Sequence, residues 1–315
     1  MIGQRVSIVV LTFNRRDELR RTLSELARVD ESVRIVVADN ASTDGTAETV
    51  ARCHPRVDVV RLPRNLGAAG RNAGARACTT PYVAFCDDDT WWTPQSLHCA
   101  ADVLDRHPTL AAVTARVLVG AERRDDPTNA RMAASPLPNA LGVPGTELLG
   151  LLGGACMIRR DAFLAVGGYD PHLFLGCEEA LLAVDLMSAG WRMAYVPQAI
   201  VHHDPSRARD VAARRRLALR NALWLAWLRR PWRRAIAATR TWLAESLRDG
   251  ELCRNAADAV CGVPWIVRRR RVAPPHVEQA LCTIETFYAA KPRVGGARRD
   301  VASQSRLMRQ SSTKG

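Results

Sequence analysis

Three consecutive carboxylates, Asp87-Asp88-Asp89, close a short apolar run, Tyr82-Val83-Ala84-Phe85-Cys86. A run of that length and composition reads as a buried strand. Ionised carboxylates at the end of a core strand lose hydration and repel one another, so three together demand a cation. Oxygen-only ligands select a hard ion, Mg²⁺ or Mn²⁺, and such an ion typically joins protein carboxylates to phosphate oxygens. This one cluster therefore points to transfer from a nucleotide. A second acidic pair, Glu178-Glu179, opens a helical pattern that runs to residue 189. Two acids in a first helical turn can also serve only the helix dipole.

The elements that must position these groups follow from the hydrophobic pattern. Residues 6–12, 34–38, 57–62, 82–86, 111–119 and 191–196 are apolar or β-branched runs of strand length. Between them lie helical patterns: Leu19, Leu23 and Leu26 after the starts at Asn14 to Asp17; a short helix to residue 50 after Asp44-Gly45; a small-residue helix to residue 77 after Asn65-Leu66-Gly67; and a helix from Pro94 toward residue 106. Strands alternating with helices of this length predict an α/β fold with a mostly parallel sheet. Ligands of such sheets bind beyond the carboxyl ends of the strands. Thr12 and Asn14, Asp39-Asn40 and the three aspartates all fall there. Thr12 and Asn14 flank the site or cap a helix. Asp39 accepts from a base or forms a local turn. Asn65 and Arg71 bracket Gly67 to Gly70, where backbone can approach a phosphate or simply pack helix on sheet. Residues 120–150, rich in Pro, Asn, Gly and charge, read as a long loop of the kind that forms lids.

The 315 residues suffice for one large domain with an appendage or for two. No run of 18 apolar residues is present, and the first residues lack a signal-peptide layout, so a cytoplasmic protein is expected. The nine scattered cysteines form no CxxC pair and read as small core residues of a reducing compartment. Charge divides the chain: residues 1–206 carry 21 Lys+Arg against 24 Asp+Glu, and residues 207–315 carry 24 against 8. That shift predicts a boundary near 206, a helical Arg/Trp-rich region over 207–292 and a disordered polar tail over 293–315.

The segments Val6-Ser7-Ile8-Val9-Val10-Leu11-Thr12-Phe13-Asn14-Arg15, Val37-Ala38-Asp39-Asn40-Ala41-Ser42-Thr43-Asp44-Gly45, Asn65-Leu66-Gly67-Ala68-Ala69-Gly70-Arg71-Asn72-Ala73-Gly74, Phe85-Cys86-Asp87-Asp88-Asp89, Gly153-Gly154-Ala155, Val166-Gly167-Gly168-Tyr169-Asp170, Glu178-Glu179 and Ala189-Gly190-Trp191 come in the order of a known family. Over residues 6–203 the chain resembles the family 2 glycosyltransferases, whose fold is GT-A. The resemblance implies inverting transfer of a hexose or deoxyhexose from a nucleotide diphosphate sugar to an acceptor hydroxyl, with Mg²⁺ or Mn²⁺. It implies that Asp89 ligates the metal, that Asp87 contacts ribose or nucleotide and shares in the metal site, and that Asp88 is shared. Asp39 would meet a uracil-like edge, beside Thr12, Asn14, Asn65 and Arg71. Glu179 would be the base, with Glu178 the other candidate, since the family commonly places Glu-Asp there. A downstream histidine, His203 or else His202, would complete the metal site. Trp91 or Trp92 would stack on a sugar.

Residues 214–242 interleave Arg with Leu, Ala and Trp, as interfacial segments do. A lipid-linked or cell-envelope acceptor at the inner face of the plasma membrane fits that pattern, and sugar or small-molecule acceptors are open too. Helices packed on the catalytic domain are the alternative. No nucleic-acid motif accompanies the basic charge. A degenerate transferase domain serving as a membrane-associated scaffold is the competing functional reading.

Overall fold

The computed structural model describes residues 1–140, 142–205 and 211–290. The tail predicted over 293–315 and the exact junction near 206 lie outside the described residues. The first half contains β1 (Val6–Thr12), α1 (Arg16–Leu26), β2 (Arg34–Asp39), α2 (Thr46–Cys53), β3 (Asp58–Arg61), α3 (Arg71–Ala77) and β4 (Tyr82–Asp87). There follow β5 (Thr90–Trp92), α4 (Pro94–Arg106), β6 (Leu110–Val119), β7 (Arg124–Asp125), α5 (Pro127–Ala133), β8 (Thr146–Leu148), β9 (Cys156–Arg159), α6 (Arg160–Ala165), α7 (Glu178–Ser188) and β10 (Arg192–His203). The C-terminal region is helical: α8 (Val211–Arg229), α9 (Trp232–Arg248), α10 (Leu252–Val260), α11 (Val263–Arg269) and α12 (Pro275–Ala290).

One sheet carries the molecule, in the order β3-β2-β1-β4-β9-β6-β10-β5. Strands β3, β2, β1 and β4 are parallel, as are β6 and β10. Strand β9 enters antiparallel between β4 and β6, and β5, β7 and β8 are antiparallel additions. These four short strands escape the hydrophobic pattern because each has four residues or fewer. The parallel register sets Thr12 beside Asp39 and Leu11 beside Asp87, so the polar ends of β1, β2 and β4 lie flush.

Period-two alternation in β1 sends Ile8 and Val10 to one face and Val9 to the other. On the first face Leu19, Leu23 and Leu26 of α1 and Leu97 and Leu104 of α4 close the core. Thr93 caps α4 by accepting from the Ser96 N–H at 3.3 Å, and Pro94 starts it. On the second face Phe85, Phe163 and Tyr169 meet edge to face and Leu182 of α7 joins them. Each fully buried side chain of this size contributes about 1.5–3 kcal/mol.

Four expectations change. Residues 120–150 are not one loop: they hold β7, α5 and β8. Asp126 caps α5 through the Thr128 N–H at 2.7 Å, and Asn129 both accepts from and donates to the backbone of Val117 in β6. The tryptophans of 214–242 mostly face inward, because α8 is packed on several sides: Trp224 and Trp242 are buried and Trp227 donates to Thr239, which leaves Trp232 outward. Trp92 is core, its Nε1–H satisfied by the Phe85 carbonyl, and the Trp91 ring meets His202 at a 31° tilt outside the cleft described below. The cysteines are all free; four are buried, but Cys53, Cys253 and Cys261 are exposed. Among the described residues, no helix is long and apolar enough to cross a membrane.

Candidate active site

A cleft of about 470 Å³ opens over the carboxyl ends of β1 and β4. Asp87, Asp88, Asp89, Asn65, Arg71, Glu178, Glu179 and His203 all line it, although they span more than a hundred positions of sequence. Asp87 ends β4, and Asp88 and Asp89 form the turn into β5. Thr90 holds that turn by accepting from the Asp87 N–H and donating to the Gly154 carbonyl, both at 2.8 Å. Thr22 of α1 donates to the Asp88 carbonyl at 2.7 Å.

The acid cluster carries its own counter-charge. Arg15 Nη1 stands 3.4 Å from Asp88 Oδ1 and 3.4 Å from Asp89 Oδ2. Sequence reasoning missed this role, although Arg15 directly follows Asn14 at the end of β1 and was thus within sight of it. The Asp88 carboxyl is pushed up to about 7, chiefly by burial; Arg15 opposes that rise and the neighbouring aspartates add to it. His203 Nε2 lies 3.6 Å from Asp89 Oδ1. His202, one residue earlier, turns to Trp91, so His203 is the histidine that joins the acids.

Several upstream residues make bonds within the walls and loops around the cleft. Thr12 lines the cleft; it is buried and its hydroxyl donates to Asp88 Oδ2 at 3.1 Å, which orients that carboxylate. Asn14, at a φ of 51°, accepts from the Thr43 N–H at 2.8 Å and lies outside the cleft lining. That bond links the β1 and β2 loops. Asp39 is fully buried: Oδ1 accepts from the Ser42 N–H at 3.0 Å, the local turn foreseen for it. Its Oδ2 has no hydrogen-bond partner among the described residues and stands 3.8 Å from Arg61 Nε. Asn65 spends its Oδ1 on the Gly67 N–H at 2.9 Å, within the cleft wall.

Arg71 is buried and pairs with Asp87, with the Tyr169 ring 5.8 Å away. Burial disfavours its charge, but Asp87, then Tyr169 and Glu179, more than compensate and hold the guanidinium firmly protonated. The second acidic pair sits at the start of α7. Glu179 accepts from the Gly153 N–H, and Glu178 Oε2 is buried without a hydrogen bond among the described residues. Burial first, then Glu178, raises the Glu179 carboxyl well above the ordinary carboxylate range, while Gly153 and Arg71 pull the other way. Burial also raises Glu178. Gly153 and Gly154 let these groups converge: a Cβ at Gly153 would stand 2.9 Å from Glu179 Oε1, and one at Gly154 only 2.5 Å from Asp87 Oδ2.

The donor set at Asp89 and His203, carboxylate plus imidazole, fits Mg²⁺ or Mn²⁺. Among the described residues no group of three or more His, Cys, Asp or Glu is gathered to hold a metal.

Sheet order, helical layers and a cleft over the strand ends define a GT-A fold. The sequence model described as glycosyl transferase family 2 matches residues 7–167, and the chain belongs to that family. Among curated relatives, N-acetylglucosaminyl-diphospho-decaprenol L-rhamnosyltransferase of Mycobacterium tuberculosis (strain ATCC 25618 / H37Rv) is 28% identical over 247 residues, covering 65% of this chain and 78% of the relative. Among solved structures, GalNAc-T7 with UDP, GalNAc and Mn²⁺ aligns with a TM-score of 0.59 at 17% identity, covering 76% of this chain and 51% of that one. This chain thus spans about half of that protein. S. aureus TarS 1–349 in complex with UDP-GlcNAc aligns with a TM-score of 0.58 at 15% identity, covering 96% and 90%.

Proposed function

We propose that this glycosyltransferase moves a sugar from a nucleoside diphosphate donor to an acceptor hydroxyl with inversion at the anomeric carbon. The observation that carries the reading is the shared cleft, which brings Glu179 together with Asp87, Asp88, Asp89 and His203. The acceptor oxygen bonds to the anomeric carbon while the bond from that carbon to the diphosphate oxygen breaks. The hydroxyl proton passes to Glu179, and the nucleoside diphosphate leaves with the electron pair. An elevated proton affinity suits a carboxylate that must take up a proton near neutral pH. The Gly153 N–H keeps that carboxylate in one orientation.

Asp89 and His203 are assigned to hold Mg²⁺ or Mn²⁺, whose charge offsets that of the leaving diphosphate when bound. Arg71 aligns Asp87 for ribose or nucleotide, and Asp88 with Asn65 borders the same donor. Asp39 Oδ2, lacking a hydrogen bond, is assigned to a uracil-like edge. The ligands of GalNAc-T7 and TarS, UDP with Mn²⁺ and UDP-GlcNAc, support a uridine diphosphate donor and the metal. The decaprenol-linked acceptor in the name of the mycobacterial relative supports a lipid-linked acceptor.

The test pairs two variants. Glu179→Gln should keep donor binding and lose transfer by roughly 10²–10⁴-fold. Asp89→Ala should lose transfer together with metal-dependent donor binding. Full transfer by both variants would overturn the proposal. A wild-type chain that binds no nucleotide sugar with Mn²⁺ but binds vesicles tightly would favour the scaffold reading.

A further inference from the structure

The outward face of α9 combines two properties that ordinary solvent-exposed helices keep apart. At about 100° per residue, Trp232, Ile236, Leu243 and Leu247 fall within roughly 60° of one another. Trp232 is 60% exposed, Leu247 58% and Leu243 42%, and Ile236 is partly exposed between them. The opposite side of the same helix already has its packing: Thr241 and Glu245 are buried, and so are Ala235, Trp242 and Ser246 on the flank between. The stripe is therefore surplus to the fold's own core.

The charges bordering the stripe are all of one sign. Arg233, Arg240 and Arg248 are exposed on the flank that follows it around the helix, and the Arg233 guanidinium lies 5.5 Å from the Trp232 ring. The acids of α9 and its C-cap are turned elsewhere: Glu245 is buried, and Arg215 of α8 bridges Asp249 at 2.9 Å. The surrounding region is basic as a whole, with 24 Lys+Arg against 8 Asp+Glu over residues 207–315.

We infer that α9 docks the enzyme on an anionic bilayer, with Trp232, Leu243 and Leu247 entering the interface and Arg233, Arg240 and Arg248 meeting lipid phosphates. A basic helix with one apolar stripe and a boundary tryptophan suits the headgroup zone, where apolar area and attraction to anionic lipid add. A soluble acidic protein would satisfy the arginines but leave the stripe wet, whereas a bilayer satisfies both. The inference narrows the basic segment expected over 214–242 to one face of one helix. It is independent of the donor chemistry, because none of these residues lines the cleft.

The experiment is co-sedimentation of the full chain with vesicles of phosphatidylglycerol mixed into phosphatidylcholine, against phosphatidylcholine alone. Wild type should pellet with the anionic vesicles only, and added salt should weaken the binding. Arginines near such a surface each contribute roughly fivefold in partition, so Arg233→Gln/Arg240→Gln/Arg248→Gln should bind about a hundredfold less well. Trp232→Ser/Leu243→Ser/Leu247→Ser should fall by at least roughly tenfold, with the circular dichroism and melting temperature of wild type. Absence of wild-type binding to anionic vesicles would overturn the inference, as would wild-type binding by the apolar triple variant. A triple variant that splits a dimer without changing vesicle binding would overturn it too, and would assign the face to a second copy of this chain.

Discussion

At the scale of single residues, the site rests on carboxyl groups held at unusual proton affinities. Glu179 is the sharpest case, since burial and Glu178 raise it while Gly153 and Arg71 restrain the rise. In the unfolded chain the same group ionises in the ordinary carboxylate range. Between the two values the native state keeps a proton that the unfolded state has lost, so stability falls as pH rises through that interval. Glu179→Gln removes the titration yet can still accept from Gly153. The variant should therefore match wild type at acidic pH and exceed it in melting temperature as pH rises toward mild alkalinity. Thermal denaturation across pH checks this; a difference that does not change with pH would contradict it. Wild-type transfer should rise over the same interval as the base ionises. The aspartate run and the glutamate pair were legible in the sequence, because acids after an apolar run are anomalous. The counter-charge of Arg15 and the inward turn of Thr12 were not, because a side chain's partner across 70 positions has no local signature.

At the scale of elements, the loop before α7 decides where Glu179 stands. Residues 173–176 have almost no regular backbone pairing with the sheet, and Cys177 enters the helix at a φ of 65°. Asn221 of α8 supplies the missing anchor. It is fully buried, and its Nδ2 donates to the carbonyls of Leu173 at 2.6 Å, Leu175 at 3.1 Å and Gly176 at 2.6 Å. Asn221→Ala leaves these carbonyls without that partner and should cost roughly 2–4 kcal/mol, read by chemical denaturation. It should lower kcat more than donor affinity, because the loop carries Glu179, the proposed base, and not the acid run; equal loss of both would place the anchor in the donor site instead. The strands β1, β2 and β4 and helices α4 and α7 were readable from period and capping. The elements within residues 120–150 were not, since α5 depends on Asn129 clasping β6.

At the scale of the whole molecule, the C-terminal helices are part of one packed body with the sheet. Val277 of α12 is fully buried in the same core as Phe85 and Leu182, and Tyr288 donates to the Arg131 carbonyl at 2.8 Å. Arg230, at the end of α8, binds Glu278 through Nε at 2.6 Å and Nη2 at 2.8 Å and also pairs with Glu285. All three are largely buried, so Arg230→Ala leaves the two carboxylates only the longer pairs with Arg234, at 3.6 and 3.9 Å, and should destabilise the fold by up to about 3–5 kcal/mol. Adding Glu278→Gln and Glu285→Gln should restore part of that loss in urea denaturation. A single variant as stable as wild type would show that α12 is docked by its apolar contacts alone. The helices beyond the charge boundary near 206 thus share packing with the sheet before it.

What the sequence determined by itself was the α/β class, the parallel strands ending in polar residues, and the order of motifs that places the chain in its family. Those features are local: apolar period, turn residues and acids at strand ends act over a few positions. What only the tertiary structure decided was convergence. Glu179 and Asp87 meet because Gly153 and Gly154 leave room between α7 and β4; His203 and not His202 faces Asp89 because of strand parity against β5; and the tryptophans divide into buried and outward because α8 is enclosed while α9 is packed on one side. Each of these depends on contacts between segments far apart in the chain, and long-range packing is the part of the free energy that no short window of sequence contains.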